Sequence, residues 1–226
     1  MELSPTSVDR LIEQALAIEA EDAKTAGALG YMARALVQAS MPHSRPEGMT
    51  FERRNGAFSL VMMGHPHAGL PYGTVPRLLL VWLTTEAVRR GERELVLGDT
   101  LSRFMAQIEL IPTGGRWGTI TRLREQMRRL FAATISCTYE APGAWALETV
   151  TVADRARLWW DPKRPDQAAL WESTVTLSER FFREVTDRPI PIDLRAIQAL
   201  RRSPLALDLY TWLTYRMSYL ARPTEI

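Results

Sequence analysis

Apolar positions recur with a helical period over much of the chain. Val8, Leu11, Ile12, Ala15, Leu16 and Ile18 form one stripe and predict a helix spanning about residues 8–39, with Gly27 and Gly30 as weak points. "SMPHSRPEG" (40–48) reads as a linker. In "TFERRNGAFSLVMM", Asn55-Gly56 separates two extended runs and predicts a hairpin with a type I′ turn. "GLPYGTVP" leads into a helix that Thr74 can cap, with Pro76 in its first turn. That helix, "RLLLVWLTTEAVRRG", is apolar nearly all round at first, so it should be buried, and Gly91 should end it. "ELVL" is a short strand, and Asp99 is placed to cap a helix carrying Leu101, Phe104, Met105 and Ile108 on one face.

The turn "LIPTGGRWG" precedes the most informative stretch, "GTITRLREQMRRLF" (118–131). At about 100° per residue, Ile120, Leu123, Met127, Leu130 and Phe131 form a continuous apolar face. Thr121, Arg122, Glu125, Arg128 and Arg129 lie opposite, and Arg124 lies on the flank. Next, "TISCTYE" and "WALETVTV" alternate around Ala141-Pro142-Gly143 and predict a hairpin. "LWESTVTL" reads as a further strand, and Ser178 can cap a short helix. After the linker "DRPIPID" come the helices "LRAIQALRR" and "PLALDLYTWLTYRMSYLAR". The second places Leu205, Leu209, Trp212, Leu213, Met217 and Leu220 on one face.

Helix, short strand, helix, turn, helix, hairpin is the order of a winged helix. The expected fold class is therefore α+β, with the hairpin at 134–151 as the wing. The expected segments are an N-terminal helical part with its linker (1–45), a winged-helix DNA-binding domain (46–188), and the start of a second winged helix (189–226). "VWLTTEAV" (81–88) and "TWLTYRMS" (211–218) echo each other, which fits a repeated unit. Thirty-eight residues are too few for a separate core, so the last segment should pack on the first domain.

Net charge is only +2, but it is uneven. Residues 1–50 hold four basic and seven acidic groups, whereas residues 51–226 hold 24 basic and 19 acidic. Of the 28 basic residues only Lys24 and Lys163 are lysine, and arginine suits bidentate contact with phosphate or guanine. The candidate DNA-binding residues on this helix are Thr119, Thr121, Arg122, Arg124, Arg128 and Arg129. The threonines sit where a helix N-terminus offers free N–H groups to phosphate. Trp117 reads as a core or turn anchor.

Catalysis is not expected. No glycine loop ends in Gly-Lys-Ser/Thr, which speaks against ATP hydrolysis. Cys137 is the single cysteine, so no disulfide framework forms within one chain; it alternates with apolar residues as a buried thiol does. This fits a reducing cytoplasm. His65-Pro66-His67 has the pattern of a two-histidine metal site but lies in a Gly/Pro loop without a third ligand, so neither a metal nor a cofactor is expected. His43 stands alone. No run of about 18 apolar residues exists, so no membrane span is expected.

"GLPYGTVPRLLLVWLTTEAVRR", "ELVLGDTLSRFM", "PTGGRWGTITRLREQMRRLFAATISCTYE", "LWWDPK", "LWESTVTLSERFF" and "PIPIDLRAIQALRRSPLALDLYTWLTYRMSYL" resemble the RepA-type replication initiators of broad-host-range bacterial plasmids. The resemblance covers about residues 46–226, implies that 118–131 is the recognition helix, and adds Arg116 to the candidate DNA contacts. It implies binding to repeated sequences (iterons) of double-stranded DNA at a plasmid origin, duplex opening, and recruitment of host initiator and helicase. It also implies tandem winged helices, a monomer–dimer equilibrium that controls copy number, and a chain continuing for several dozen residues past the equivalent of "YLARPTEI". A winged-helix transcriptional regulator and a dimerisation or interaction module are the rival readings.

Overall fold

The computed structural model describes residues 21–220 and positions 15, 16, 18 and 19. Across residues 21–220 the chain is a mixed α+β structure of nine strands and seven helices. In order these are β1 (Leu29–Met32), α1 (Arg34–Gln38), β2 (Thr50–Asn55), β3 (Phe58–Met63), α2 (Thr74–Arg90), β4 (Glu94–Val96), α3 (Leu101–Gln107) and α4 (Thr119–Ala132). There follow β5 (Thr134–Ala141), β6 (Ala144–Thr151), β7 (Ala153–Arg157), β8 (Thr174–Leu177), α5 (Glu179–Asp187), β9 (Ile190–Asp193), α6 (Leu194–Leu200) and α7 (Pro204–Tyr219).

The centre is α2, whose all-round apolar sequence lets it be enclosed on every side. Leu79, Leu80, Leu83 and Ala87 are completely buried, and the helix packs against β1, β4, α4, α5 and α7. Gly91 closes it in the left-handed conformation. Beside it Phe104 stands edge-on to Trp82, 5.2 Å between centroids, and stacks on Trp160 at 5.1 Å. Both indole N–H groups are satisfied, by Gln107 Oε1 and by the carbonyl of Gly98.

Three antiparallel sheets surround this core, in the orders β2-β3-β5-β6, β4-β8-β7 and β1-β9. The expected hairpin at 134–151 is present as β5–β6, but β5 pairs with β3, from Phe58↔Tyr139 to Met63↔Thr134. It therefore extends the first sheet and is not part of the sheet containing β4. A second hairpin, β7–β8, joins β4 through the register Leu95↔Val175.

The helix expected over 8–39 is present only in part. Positions 15, 16, 18 and 19 are helical, residues 21–28 form a turn segment, 29–32 are strand, and 34–38 are a separate short helix; Val8, Leu11 and Ile12 lie outside the described residues. Tertiary pairing overrides the helix expected at 29–32: β1 takes β9 as its partner, and Tyr31 N–H donates to Thr85 Oγ1 at 2.9 Å. The β2–β3 turn also differs. Its central residues are Gly56 and Ala57, because Asn55 already pairs with Phe58. Only Gly56 has positive φ (60°), which meets the requirement of type II′ and not of type I′. Thr100, not Asp99, caps α3, accepting from Arg103 N, and α2 starts at Thr74 without a side-chain cap. Ser178 caps α5 as expected.

The 189–220 segment packs on the rest through β9, through the core residues Ile190, Ile192, Ile197 and Leu207, and through a buried ion-pair cluster. The Arg77 side chain, 3% exposed, forms a two-pronged ion pair with Asp208, Nε–Oδ1 2.7 Å and Nη2–Oδ2 2.6 Å. His43 is not isolated: its Nε2 lies 2.7 Å from Asp208 Oδ2. Leu205, Leu209, Leu213 and Met217 of α7 face outward, and Leu207 and Thr211 are its buried positions.

Candidate nucleic-acid interface

The turn before α4 is built from its own polar groups. Thr119 Oγ1 donates to the Ile111 carbonyl at 2.6 Å and accepts from Thr113 N–H at 2.9 Å. Thr119 N–H in turn donates to Thr113 Oγ1 at 2.9 Å, and Thr121 Oγ1 donates to the Gly115 carbonyl at 2.9 Å. Gly118 is required here, because a Cβ would overlap the carbonyls of Thr113 and Gly114. Thr119 and Thr121, expected to face phosphate, thus brace the turn. Trp117 is not a core anchor either: it is 81% exposed, with the Arg116 guanidinium 5.1 Å from its ring centroid.

The core side of α4 is as its periodicity predicts, with Ile120, Leu123, Met127 and Leu130 buried. Gln126 is buried with them, and its Oε1 accepts from Tyr72 N–H at 2.9 Å. Arg122, Arg124, Glu125 and Arg128 are exposed. Arg129 departs from expectation. It is half-buried, its Nη1 donates to the Leu70 carbonyl at 3.2 Å, and its guanidinium lies 5.2 Å from the Tyr72 ring centroid. The long side chain folds back onto its own protein instead of projecting outward. Among the described residues, none of Arg122, Arg124 and Arg128 has an ion-pair or hydrogen-bond partner, so three positive charges meet solvent on this face.

Two further elements bring basic groups near α4. The loop 64–72 crosses its C-terminal half: His65 and His67 share a recess with Arg124, Arg128 and Phe131, and Leu70 and Tyr72 are bonded to Arg129 and Gln126. Strand β7 forms another wall of that recess through Ala156 and Leu158 just beyond it, and carries exposed Arg155 and Arg157. Lys163 and Arg164 are exposed in the β7–β8 connection. The alternation in "ADRAR" was the signal for Arg155 and Arg157; nothing local to "HPH" reports its nearness to α4. Among the described residues no group of three His, Cys, Asp or Glu side chains is placed to hold a metal ion. No described helix is long and apolar enough to cross a membrane.

Cys137, on β5, faces Glu148 across the strands and has Glu184 nearby; burial, aided by these carboxylates, pushes its thiol up to about 12. Burial also raises Glu184, whose Oε1 accepts from Ala35 N–H at 2.9 Å.

No curated protein sequence matches the chain. Its fold is similar to that of domains 2 and 3 of RctB. A crystal structure of selenomethionine derivatives of those domains aligns with TM-score 0.50 and 11% identity, over 83% of this chain and 70% of that one. A crystal structure of RctB domains 2–3 aligns with TM-score 0.53 and 12% identity, over 82% and 70%. The sequence pattern of the family described as "Plasmid encoded RepA protein" matches residues 70–225. With its α+β core, its outward-facing arginine helix and this match over most of its length, the chain belongs to the plasmid-encoded RepA family, the replication initiators its motifs resemble.

Proposed function

We propose that this protein binds double-stranded DNA repeats at a plasmid origin, with α4 as the helix that enters the major groove. The observation that carries the reading is the division of α4: four apolar residues and Gln126 face the core, and Arg122, Arg124 and Arg128 stand outward without acidic partners among the described residues. Arginine in this position neutralises phosphate or binds guanine O6 and N7. The β4-β8-β7 sheet, with α2, α3 and α4 around it, supports a winged-helix arrangement in which β7–β8 is the wing and β5–β6 an insertion. Arg116 and the wing's Lys163 and Arg164 supply backbone contacts. The protein acts without a catalytic step or cofactor, in the bacterial cytoplasm. It hands the opened origin to host initiator and helicase, and dimerisation limits copy number.

The test is fluorescence anisotropy of this chain with duplex bearing direct repeats from a candidate origin and with scrambled duplex, at two salt concentrations. Arg122→Ala or Arg128→Ala should cost about 1–3 kcal/mol where the contact is to a base. Where it is to phosphate, the loss is sequence-blind and the salt slope falls by about 0.9. Unchanged binding in both variants removes α4 as the reader. Binding that never distinguishes repeats from scrambled duplex removes the origin-specific reading for this chain.

A further inference from the structure

The place of the His65-Pro66-His67 motif in the fold is specific. The loop bearing it is tied down at several points. Gly64 N–H donates to the Met49 carbonyl at 2.7 Å, and the N–H groups of Ala68 and Gly69 donate to the His65 carbonyl at 2.9 and 2.8 Å. Downstream, Arg129 and Gln126 of α4 hold Leu70 and Tyr72 at 3.2 and 2.9 Å. Both imidazoles are exposed, with centroids 5.6 Å apart, and they open into a recess of about 500 Å³. The charged groups lining that recess are Arg124 and Arg128; the loop adds only the two histidines, and β7 with its following residue adds uncharged Ala156 and Leu158.

We infer that this recess seats a DNA backbone phosphate, gripped by His65 and His67 from the loop and by Arg124 and Arg128 from α4. The inference rests on the duplex-binding reading above. A phosphate beside α4 is where a groove-bound helix meets the strand flanking the groove, and contacts there set register without reading sequence. Arg129 and Gln126 are positioning residues: they fix the loop to the helix, so that the histidines move with the reader. Histidine makes the grip depend on pH, because an imidazolium carries charge and a neutral imidazole does not; protonating His65 Nδ1 also costs the bond that it accepts from His67 N–H at 3.3 Å.

The experiment measures duplex affinity of the full chain against salt at pH 6 and pH 8, for wild type, H65Q/H67Q and H65R/H67R. At pH 6, H65Q/H67Q should bind repeat-bearing and scrambled duplex equally less well. One lost phosphate contact lowers the salt slope by about 0.9 and the affinity by roughly tenfold near 0.1 M salt. At pH 8 the gap between wild type and H65Q/H67Q should close, and H65R/H67R should bind more tightly than wild type. Histidine ring NMR signals should shift on adding duplex, and not on adding inorganic phosphate at matched ionic strength. Wild-type affinity and slope for H65Q/H67Q at pH 6 overturn the inference, as do ring shifts of equal size with inorganic phosphate. If R122A and R128A still weaken binding in that case, only the loop inference has failed; if they do not, the duplex-binding reading has failed with it.

Discussion

Replacing Asp208 by alanine should destabilise the protein by about 3 kcal/mol. The figure follows from what Arg77 is left with. Its five N–H donors are all engaged: Nε and one Nη2 hydrogen by Asp208, the other Nη2 hydrogen by the Met41 carbonyl at 2.7 Å, and Nη1 by the carbonyls of Pro42 and Gly73 at 3.2 and 2.7 Å. D208A strands two donors and leaves the positive charge uncompensated with the Arg77 side chain 3% exposed. Breaking such a pair costs about 3–5 kcal/mol, and the 18% exposure of Asp208 favours the lower end, since some water reaches the gap. Replacing both partners, as in R77M/D208L, should recover part of the loss: no unpaired charge remains, but the Met41, Pro42 and Gly73 carbonyls lose the donor that Arg77 supplied. The assay is urea unfolding followed by far-UV circular dichroism, read as a shift in midpoint at constant slope. Hydrogen exchange should show α7 losing protection first, since this pair ties it to α2. A D208A variant within about 1 kcal/mol of wild type, or a double variant no better than D208A, would refute the reasoning.

The raised carboxyl of Glu184 holds its proton more tightly in the folded than in the unfolded state. Its burial therefore costs nothing below its ordinary range and costs stability as pH rises through the raised value. E184Q, which keeps an acceptor for Ala35 N–H, should match wild type near pH 4 and gain on it toward pH 8 in parallel melting curves; a constant difference would sink the idea. With its thiol pushed up to about 12, Cys137 should react with Ellman's reagent at pH 8 about two orders of magnitude more slowly in the folded than in the urea-unfolded chain, after allowing for the greater nucleophilicity of a more basic thiolate. Equal rates would show the thiol to be open. Gly118→Ala should lower both the melting temperature and duplex affinity, because a Cβ there displaces the Thr113 and Gly114 carbonyls and with them Arg116 and Trp117; unchanged affinity would detach this turn from the interface.

Much of the architecture was legible in residue order. A helix buried on one face or all round writes its period into the chain, so α2, α4 and α7 fall where the pattern places them, and both strands of β5–β6 follow their alternation. The inward face of α4 and the exposure of Arg122, Arg124 and Arg128 follow from that same period. For α2 and α4 the period also states which side is covered, but not by what; the apolar stripe of α7 faces outward. The pairing of β1 with β9, the placing of the 134–151 hairpin beside β3, and the docking of Asp208 on Arg77 join residues that lie far apart in sequence, and no local signal encodes them. The same limit governs side-chain roles. Arg129 and Thr119 sit beside groups they can bond, and buried or bent-back contacts satisfy them better than solvent does, so they became scaffold. Trp117 is open because the turn that would bury it is closed instead by threonine hydroxyls. The chain's local chemistry specified most of its elements and the buried faces of α2 and α4; long-range packing chose their partners, and with them which basic groups stay exposed.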